Sequence, residues 1–494
     1  MHSWLKRRSS AVLLHLTALP GPFKTGVLGE EAYMFIDRIA AAGFSVWQFL
    51  PLGPTHAHGS PYESLSSFAG NPDMLDLREC VKFGWLDPFS FDNSDHAQLR
   101  AEAARGFWQH VDHDPELAAT VAAFEQANAD WLVDFSLFAA LKKVYRDRPW
   151  WGWPEPLRDR DPNALSQARI DYAELIMQTV FEQLLFDRQW GALKSHAEER
   201  DVQLFGDLPI YVAHDSADVW SDQRLFTINR IGLCDEVAGV PPDYFSDTGQ
   251  RWGNPLYRWD LMETEAFAWW IRRVRRQLDR MHMLRIDHFR GLEAFWAIPG
   301  NSEDGVIGEW RKAPGKAMLQ ALQDAIGSLP MVAEDLGVIT DEVTDLRESF
   351  KLPGMKILQF AFGGDAGNPY LPAHHGENSV VYTGTHDNDT TMGWYASIDQ
   401  STRDNMLREL DITSADMPWT LIETAMASTG RLAVIPMQDL LELGSEARFN
   451  TPGTLDGNWH WRMEHLPAPK APCWTRSLEL NRKFKRWNKR WNKN

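Results

Sequence analysis

Eight short apolar runs, each closing on polar or acidic residues and separated by longer helix-like stretches, constrain this chain more than any other feature. They begin at Ala11 (AVLLHL), Ser45 (SVWQFLPL), Val202 (VQLFGDLPIYV), Met283 (MLRIDHF), Met331 (MVAEDLG), Gly354 (GMKILQFAF), Ser379 (SVVYTGTHDND) and Arg431 (RLAVIPMQDL). A strand buried on both faces reads as such a run, and parallel strands need helical crossovers between them. Eight units in order, with polar residues at their C-terminal ends, predict an α/β fold. It is a (β/α)8 barrel of the TIM type, whose working face lies at those ends. An open doubly wound sheet is the alternative built from the same elements.

The spacing of the runs is uneven. About 150 residues separate the second from the third, far more than an ordinary connection needs, so a large, mainly helical insertion is expected there. The stretch WLVDFSLFAALKKVY (131–145) carries apolar residues at helical spacing and fits it. A second insertion or loop lies between the third and fourth strands. It contains GVPPDYFSDTGQRWGNP (239–255), too rich in Gly and Pro for a regular element and flanked by aromatics, which reads as an active-site loop. The expected organisation is therefore 1–53 as the first part of the barrel, 54–200 as the inserted helical subdomain, and 201–494 as the rest of the barrel. The basic C-terminal stretch KFKRWNKRWNKN (483–494) reads as a solvated helix end or frayed tail.

Charge and cysteine usage narrow the partners. A formal charge of -18 repels phosphate backbones and anionic lipid, so nucleic acid and membrane are excluded as partners and a neutral ligand is favoured. Cys80, Cys234 and Cys473 are an odd number without metal-type spacing, which predicts neither a disulfide framework nor a structural zinc, and points to a reducing, cytoplasmic location. Lys6 to Arg8 followed by an apolar run imitate a secretion signal. That run holds His15 and Thr17 and ends on Pro20-Gly21-Pro22, so a first buried strand explains it better. The 23 tryptophans offer flat apolar faces with a polar edge, which suit a core and also the C–H faces and hydroxyl rims of sugars.

Three strand ends carry candidate chemistry. In RIDHFRG (285–291) alternation puts Arg285 and Asp287 on one side, and a guanidinium favours the ionised form of a neighbouring carboxylate, as a nucleophile requires; an ordinary buried ion pair reads the same way. In AEDLG (333–337) one acid must face the mouth and the other the flank. A glutamate in a partly dry mouth has a raised pKa and can hold the proton a leaving oxygen needs, whereas Asp335 reads equally as a helix N-cap. GTHDND (384–389) is a dense polar cluster that reads as metal ligands or as donors and acceptors for sugar hydroxyls. Asp, Glu and Asp at one barrel face are the set that glycoside chemistry uses, with an acid at the glycosidic oxygen and a carboxylate at the anomeric carbon.

These motifs resemble the amylomaltase (4-α-glucanotransferase, disproportionating enzyme) family of the α-amylase clan. The resemblance extends through LPGPFKTGVLG (19–29), PLGPT (51–55), SPYES (60–64), FAGNP (68–72), GDLPIYV (206–212), DSADVW (215–220), the 239–255 stretch and PGTLDGNW (452–459), and so covers most of the chain. It implies Asp287 as nucleophile, Glu334 as acid/base, and Asp387 as the group gripping the hydroxyls next to the anomeric carbon, helped by His386. It further implies that Arg285 orients Asp287 and that Asp207 lies beneath the reactive sugar. Tyr62, Asp243, Tyr244 and Trp252 would line the donor and acceptor subsites, with no metal and no cofactor. Two departures, Glu63 where relatives often have Gln and His15-Leu16-Thr17 where Pro often follows the His, spare this set.

The implied activity is transfer of α-1,4-glucan segments from a donor maltooligosaccharide to the 4-hydroxyl of a glucose or glucan acceptor by retaining double displacement. A hydrolytic α-amylase-type glycosidase shares the first step, and a noncatalytic glucan-binding protein would share the aromatics.

Overall fold

The computed structural model describes residues 7–92, 95–242, 246–454 and 456–486. All eight apolar runs are strands of one parallel sheet: β1 (Ser9–Leu13), β2 (Val46–Gln48), β3 (Gln203–Pro209), β4 (Met283–Asp287), β5 (Met331–Ala333), β6 (Gly354–Ile357), β7 (Ser379–Tyr382) and β8 (Leu432–Pro436). They pair in the order β6-β7-β8-β1-β2-β3-β4-β5, so β1 sits beside β8 and the sheet has curled on itself rather than staying open. Residues such as Val12, Trp47, Leu284, Val332, Val380 and Val434 are fully or almost fully buried, which is why these runs are apolar without alternation.

The seam between β5 and β6 is closed by a mixed device. Ala333 N–H donates to the Pro353 carbonyl at 2.9 Å, and two residues on, the Asp335 carboxylate accepts from Met355 N–H at 2.7 Å. Gly354 permits this approach, since a Cβ there would lie 2.3 Å from Asp335 Oδ2. Asp335 also pairs with Arg347 at 3.2 Å. It does not cap the next helix, Asp341–Ser349, whose N-cap is Thr340; the N-cap reading of Asp335 gives way because the open strand edge is the nearer set of unsatisfied N–H groups.

Between β2 and β3 lie the helices His96–Val111, Pro115–Ala127, Ala129–Val144, Pro162–Asp171 and Ala173–Glu199. The last is tied to the segment that follows β2 through two glutamines whose side-chain amides each make two bonds to one backbone unit. Gln183 accepts from Gly70 N–H at 2.7 Å and donates to its carbonyl at 2.9 Å, and Gln189 does the same for Asp76 at 3.0 and 2.8 Å. Lys142, buried on Ala129–Val144, reaches Asp215 beyond β3 at 2.7 Å and donates to the Asp147 carbonyl at 2.6 Å. The turn that follows Lys142 is thereby fixed against the barrel mouth.

The 239–255 stretch differs from the irregular loop expected of it. Its two ends are strands, Glu236–Val240 and Gln250–Pro255, in a four-stranded antiparallel sheet completed by Ala294–Pro299 and Glu309–Lys312. Ladder bonds to a partner far along the chain override a composition that locally disfavours strand, and Gly249, at φ +65°, supplies the left-handed turn that returns the hairpin. The basic C-terminal stretch also departs from its reading where it is described. Arg486 is fully buried and donates to the carbonyls of Met426, Ser9, Ser428 and Gly430 at 2.7 to 2.9 Å, stitching the end of the chain to β1 and the approach to β8. Residues 487–494 lie outside the described residues. No helix among the described residues is long and apolar enough to cross a membrane.

Candidate active site

Register decides which side chains meet. Parallel pairing of β3 with β4 sets Asp207 opposite Arg285 and Pro209 opposite Asp287, and pairing of β4 with β5 sets Ile286 opposite Ala333. Arg285 and Asp207 are therefore neighbours on one face, and Glu334 leaves its strand beside Asp287.

Arg285 is the hub. It donates to Asp207 Oδ2 at 2.7 Å and pairs through its other terminal nitrogen with Asp287 Oδ1 at 2.8 Å. The same Asp207 oxygen accepts the Tyr62 hydroxyl at 2.8 Å. With its one hydrogen so committed, Tyr62 accepts from His386 Nε2–H at 2.8 Å. His386 Nε2 lies 3.3 Å from Asp387 Oδ2. Six of the residues singled out from sequence thus form one continuous polar array, running Asp287, Arg285, Asp207, Tyr62, His386, Asp387. Burial pushes the Asp207 carboxyl up against the pull of Arg285, with Asp287 adding to the rise. Burial also opposes the charge on Arg285, but Asp207 and Asp287 outweigh it and hold the guanidinium well above its usual range. Tyr62 lies flat against His386, with ring centroids 5.3 Å apart and planes at 15°.

Glu334 is held differently. It is buried, and its two carboxyl oxygens accept backbone N–H groups, Oε2 from His288 at 2.6 Å and Oε1 from Leu336 at 3.0 Å. Burial raises its pKa, Arg285 and the two N–H groups pull it down, and the negative charge of Asp287 pushes it up; the result is about 8. The chain bends at both neighbours of this group. His288 takes a left-handed conformation, φ +53°, directly after Asp287, and Gly337 turns at φ +83° directly after Leu336. A non-glycine residue held there stores strain, of about 1–3 kcal/mol, that recurs at functional sites.

The 384–389 cluster separates on folding. Asp439, buried behind it, accepts from the Thr383 hydroxyl and from both the N–H and hydroxyl of Thr391 at 2.6 to 2.7 Å, fixing both ends of the turn. Asn388 folds back onto Thr385 at 2.9 Å, and Asp389 accepts from Ser445 at 2.6 Å and from Thr390 N–H at 2.8 Å. Only His386 and Asp387 join the array. Trp252 stands 4.8 Å from the His288 ring at 90°. Asp243 and Tyr244 lie outside the described residues.

The structure adds partners that sequence reasoning missed. Asn450 Nδ2 donates to Asp387 Oδ1 at 2.6 Å, its N–H donates to the His386 carbonyl at 3.1 Å, and Arg448 donates to the Asp387 carbonyl at 2.7 Å. Trp459, at φ +67°, closes over Tyr62 and His386 with centroids 5.9 and 6.2 Å away. The available signal was the RFN triplet just before the PG turn of the 452–459 motif, downstream of the eighth strand end. Replacing Asn450 by Ala removes a hydrogen bond to a charged group, worth about 1.5–3 kcal/mol. The expected outcome is a ten- to hundredfold lower kcat on maltotriose from a protein that still folds with a modestly lowered melting temperature, checked by initial rates and thermal unfolding.

Fold and site together define a class: parallel (β/α)8 barrels that present carboxylates to a sugar at the ends of their strands. Within it, the chain belongs to the Glyco_hydro_77 family, described as 4-alpha-glucanotransferase, which matches residues 14–467. It is 49% identical over 484 residues to a 4-alpha-glucanotransferase of Thermus thermophilus, covering 94% of this chain and 96% of that one. It is 44% identical over 475 residues to a 4-alpha-glucanotransferase of Synechocystis, covering 93% and 94%. Among solved structures, an amylomaltase from Streptococcus agalactiae in complex with acarbose superposes with a TM-score of 0.93 at 32% identity, covering 98% of this chain and 100% of that one.

Proposed function

We propose that this protein is a 4-α-glucanotransferase that moves α-1,4-glucan segments from a donor maltooligosaccharide to the 4-hydroxyl of a glucose or maltooligosaccharide acceptor. The observation that carries the mechanism is the pairing of Asp287 with Arg285 next to Glu334, whose carboxyl, at about 8, keeps its proton at neutral pH. In the first step Glu334 gives that proton to the glycosidic oxygen while an Asp287 oxygen attacks the anomeric carbon. The C–O bond to the reducing-end fragment breaks, the fragment leaves, and the remaining glucan is esterified to Asp287. In the second step the ionised Glu334 takes the proton of the acceptor 4-hydroxyl, whose oxygen displaces Asp287 from the anomeric carbon. Two inversions restore the α configuration. Asp387, steadied by Asn450 and His386, is placed to grip the adjacent ring hydroxyls as the sugar distorts.

Transfer rather than hydrolysis is supported by family membership and by the hairpin that brings Trp252 within 4.8 Å of His288, an apolar ring beside the reacting centre that disfavours water. The family relation also disfavours the noncatalytic alternative. We place the enzyme in the cytoplasm, a reading supported by three free thiols, Cys80, Cys234 and Cys473. Incubation with maltotriose is expected to give glucose and a ladder of longer maltodextrins; maltose and glucose alone would overturn the transfer reading.

A further inference from the structure

Glu334 leaves the barrel from the strand at its seam. β5 shares a ladder with β4, and the sheet order places β6 at the opposite end, so among the described residues β5 has no ladder partner across the seam to direct its emerging end. The bond from Ala333 to Pro353 acts before Glu334, and the next hold comes from a side chain. Asp335 Oδ1 accepts from Met355 N–H at 2.7 Å, while Oδ2 faces the Arg347 guanidinium at 3.2 Å, with both side chains largely buried. Arg347 is itself tied to the Leu352 carbonyl at 3.1 Å, so both holds on Asp335 are anchored in the connection into β6. Successive side chains along a strand point to opposite faces, and an Asp335 drawn into the flank leaves Glu334 to the mouth. The contact that bears on the chemistry is one residue further on, where Leu336 N–H donates to Glu334 Oε1 at 3.0 Å. That N–H belongs to the peptide unit joining Asp335 to Leu336.

We infer that Asp335 is a positioning residue for the acid/base: its clasp on β6 holds the Asp335–Leu336 peptide so that the N–H of that unit stays on Glu334. The inference deepens the reading of Glu334 as acid/base and rests on it for its effect on catalysis. A backbone N–H on a carboxylate favours the ionised form, and this one is among the pulls that oppose burial at Glu334. Facing Glu334 are also Arg285 and Asp287 on β4, Tyr382 on β7 and Tyr370 beyond β6. Facing Asp335 are Arg347, Lys356 and Tyr370. Release of the clasp takes the N–H away and so raises the pKa of Glu334. Removal of the Asp335 charge with the geometry kept acts in the opposite sense, because a nearby negative charge disfavours a second one. The sign of the change therefore separates position from charge.

The test follows the Glu334 carboxyl itself, by carbon-13 NMR of protein labelled at its glutamate carboxyls, as the signal that titrates between about pH 6 and 10 and is absent from Glu334→Gln. In Asp335→Ala its midpoint is expected to rise by about half to one pH unit, with the alkaline limb of kcat/KM on maltotriose moving up alongside. In Asp335→Asn, whose amide oxygen still accepts from Met355 N–H, the midpoint is expected to stay below that of Asp335→Ala. Gly354→Ala reaches the clasp from the other strand, since the added Cβ would lie 2.3 Å from Asp335 Oδ2 and displace the carboxylate with its charge intact. A rise is expected there too, and this variant carries the test by itself where Asp335→Ala does not fold. A midpoint unchanged or lowered in Asp335→Ala or in Gly354→Ala would overturn the positioning role. A midpoint that moves as expected while kcat/KM ignores it would remove Glu334 from the acid's role and leave Asp335 as its positioner.

Discussion

Replacing Asp287 by alanine is expected to leave a folded protein whose turnover of maltotriose is about four orders of magnitude lower, the loss typical when a nucleophile is removed. The fold should survive because Arg285 keeps its 2.7 Å bond to Asp207, so no buried cation is stranded, and because the Asp287 side chain is 29% exposed. Initial rates by glucose release, together with thermal unfolding, check both halves. A residual activity within tenfold of the unaltered protein would remove Asp287 from the nucleophile's role. A collapsed melting curve would show that its pairing with Arg285 is structural first.

The second large effect concerns Glu334 and carries a sign. As the acid it must be protonated, and with a pKa pushed up to about 8 by burial the protonated fraction is nearly complete at neutral pH. Above that value it falls tenfold per pH unit. The ratio kcat/KM should therefore hold through neutrality and decline on the alkaline side from about pH 8. Glu334→Gln should lower the rate by about 10²–10⁴ and abolish that alkaline limb, since an amide neither gives nor takes the proton. Rates on maltotriose between about pH 6 and 10 for both proteins decide it. The same limb persisting in the Gln variant would assign it to another group.

How much of this could be read from the sequence follows from where the constraints act. Strands such as Ser379–Tyr382 are buried on both faces, so their runs are apolar and their polar ends mark the mouth. Arg285 and Asp287 share a side by simple alternation, and Asp207 meets Arg285 because β3 and β4 pair in that register. What could not be read depends on long-range partners. Gln250–Pro255 is a strand only because Glu236–Val240 and Ala294–Pro299 complete its sheet. Asn450 reaches Asp387 from a segment 63 residues later, marked in the sequence only by the RFN triplet before a PG turn, which does not name its partner. Asp335 resembled a helix cap because the sequence does not show that a strand edge would lie nearer.

In the proposed mechanism the shared position of Arg285 has a consequence for the covalent intermediate. When Asp287 becomes an ester, its negative charge disappears from beside both Arg285 and Asp207. The repulsion from Asp287 that had helped raise Asp207 is lifted, while the attraction of Arg285 remains. In the same step Glu334 gives up its proton, so the negative charge lost at Asp287 reappears on Glu334, which faces the guanidinium of Arg285 together with Asp207. The charge facing Arg285 is thus conserved through the first half-reaction, the negative centre passing from one strand end to the next, from Asp287 to Glu334, and the second half-reaction returns it.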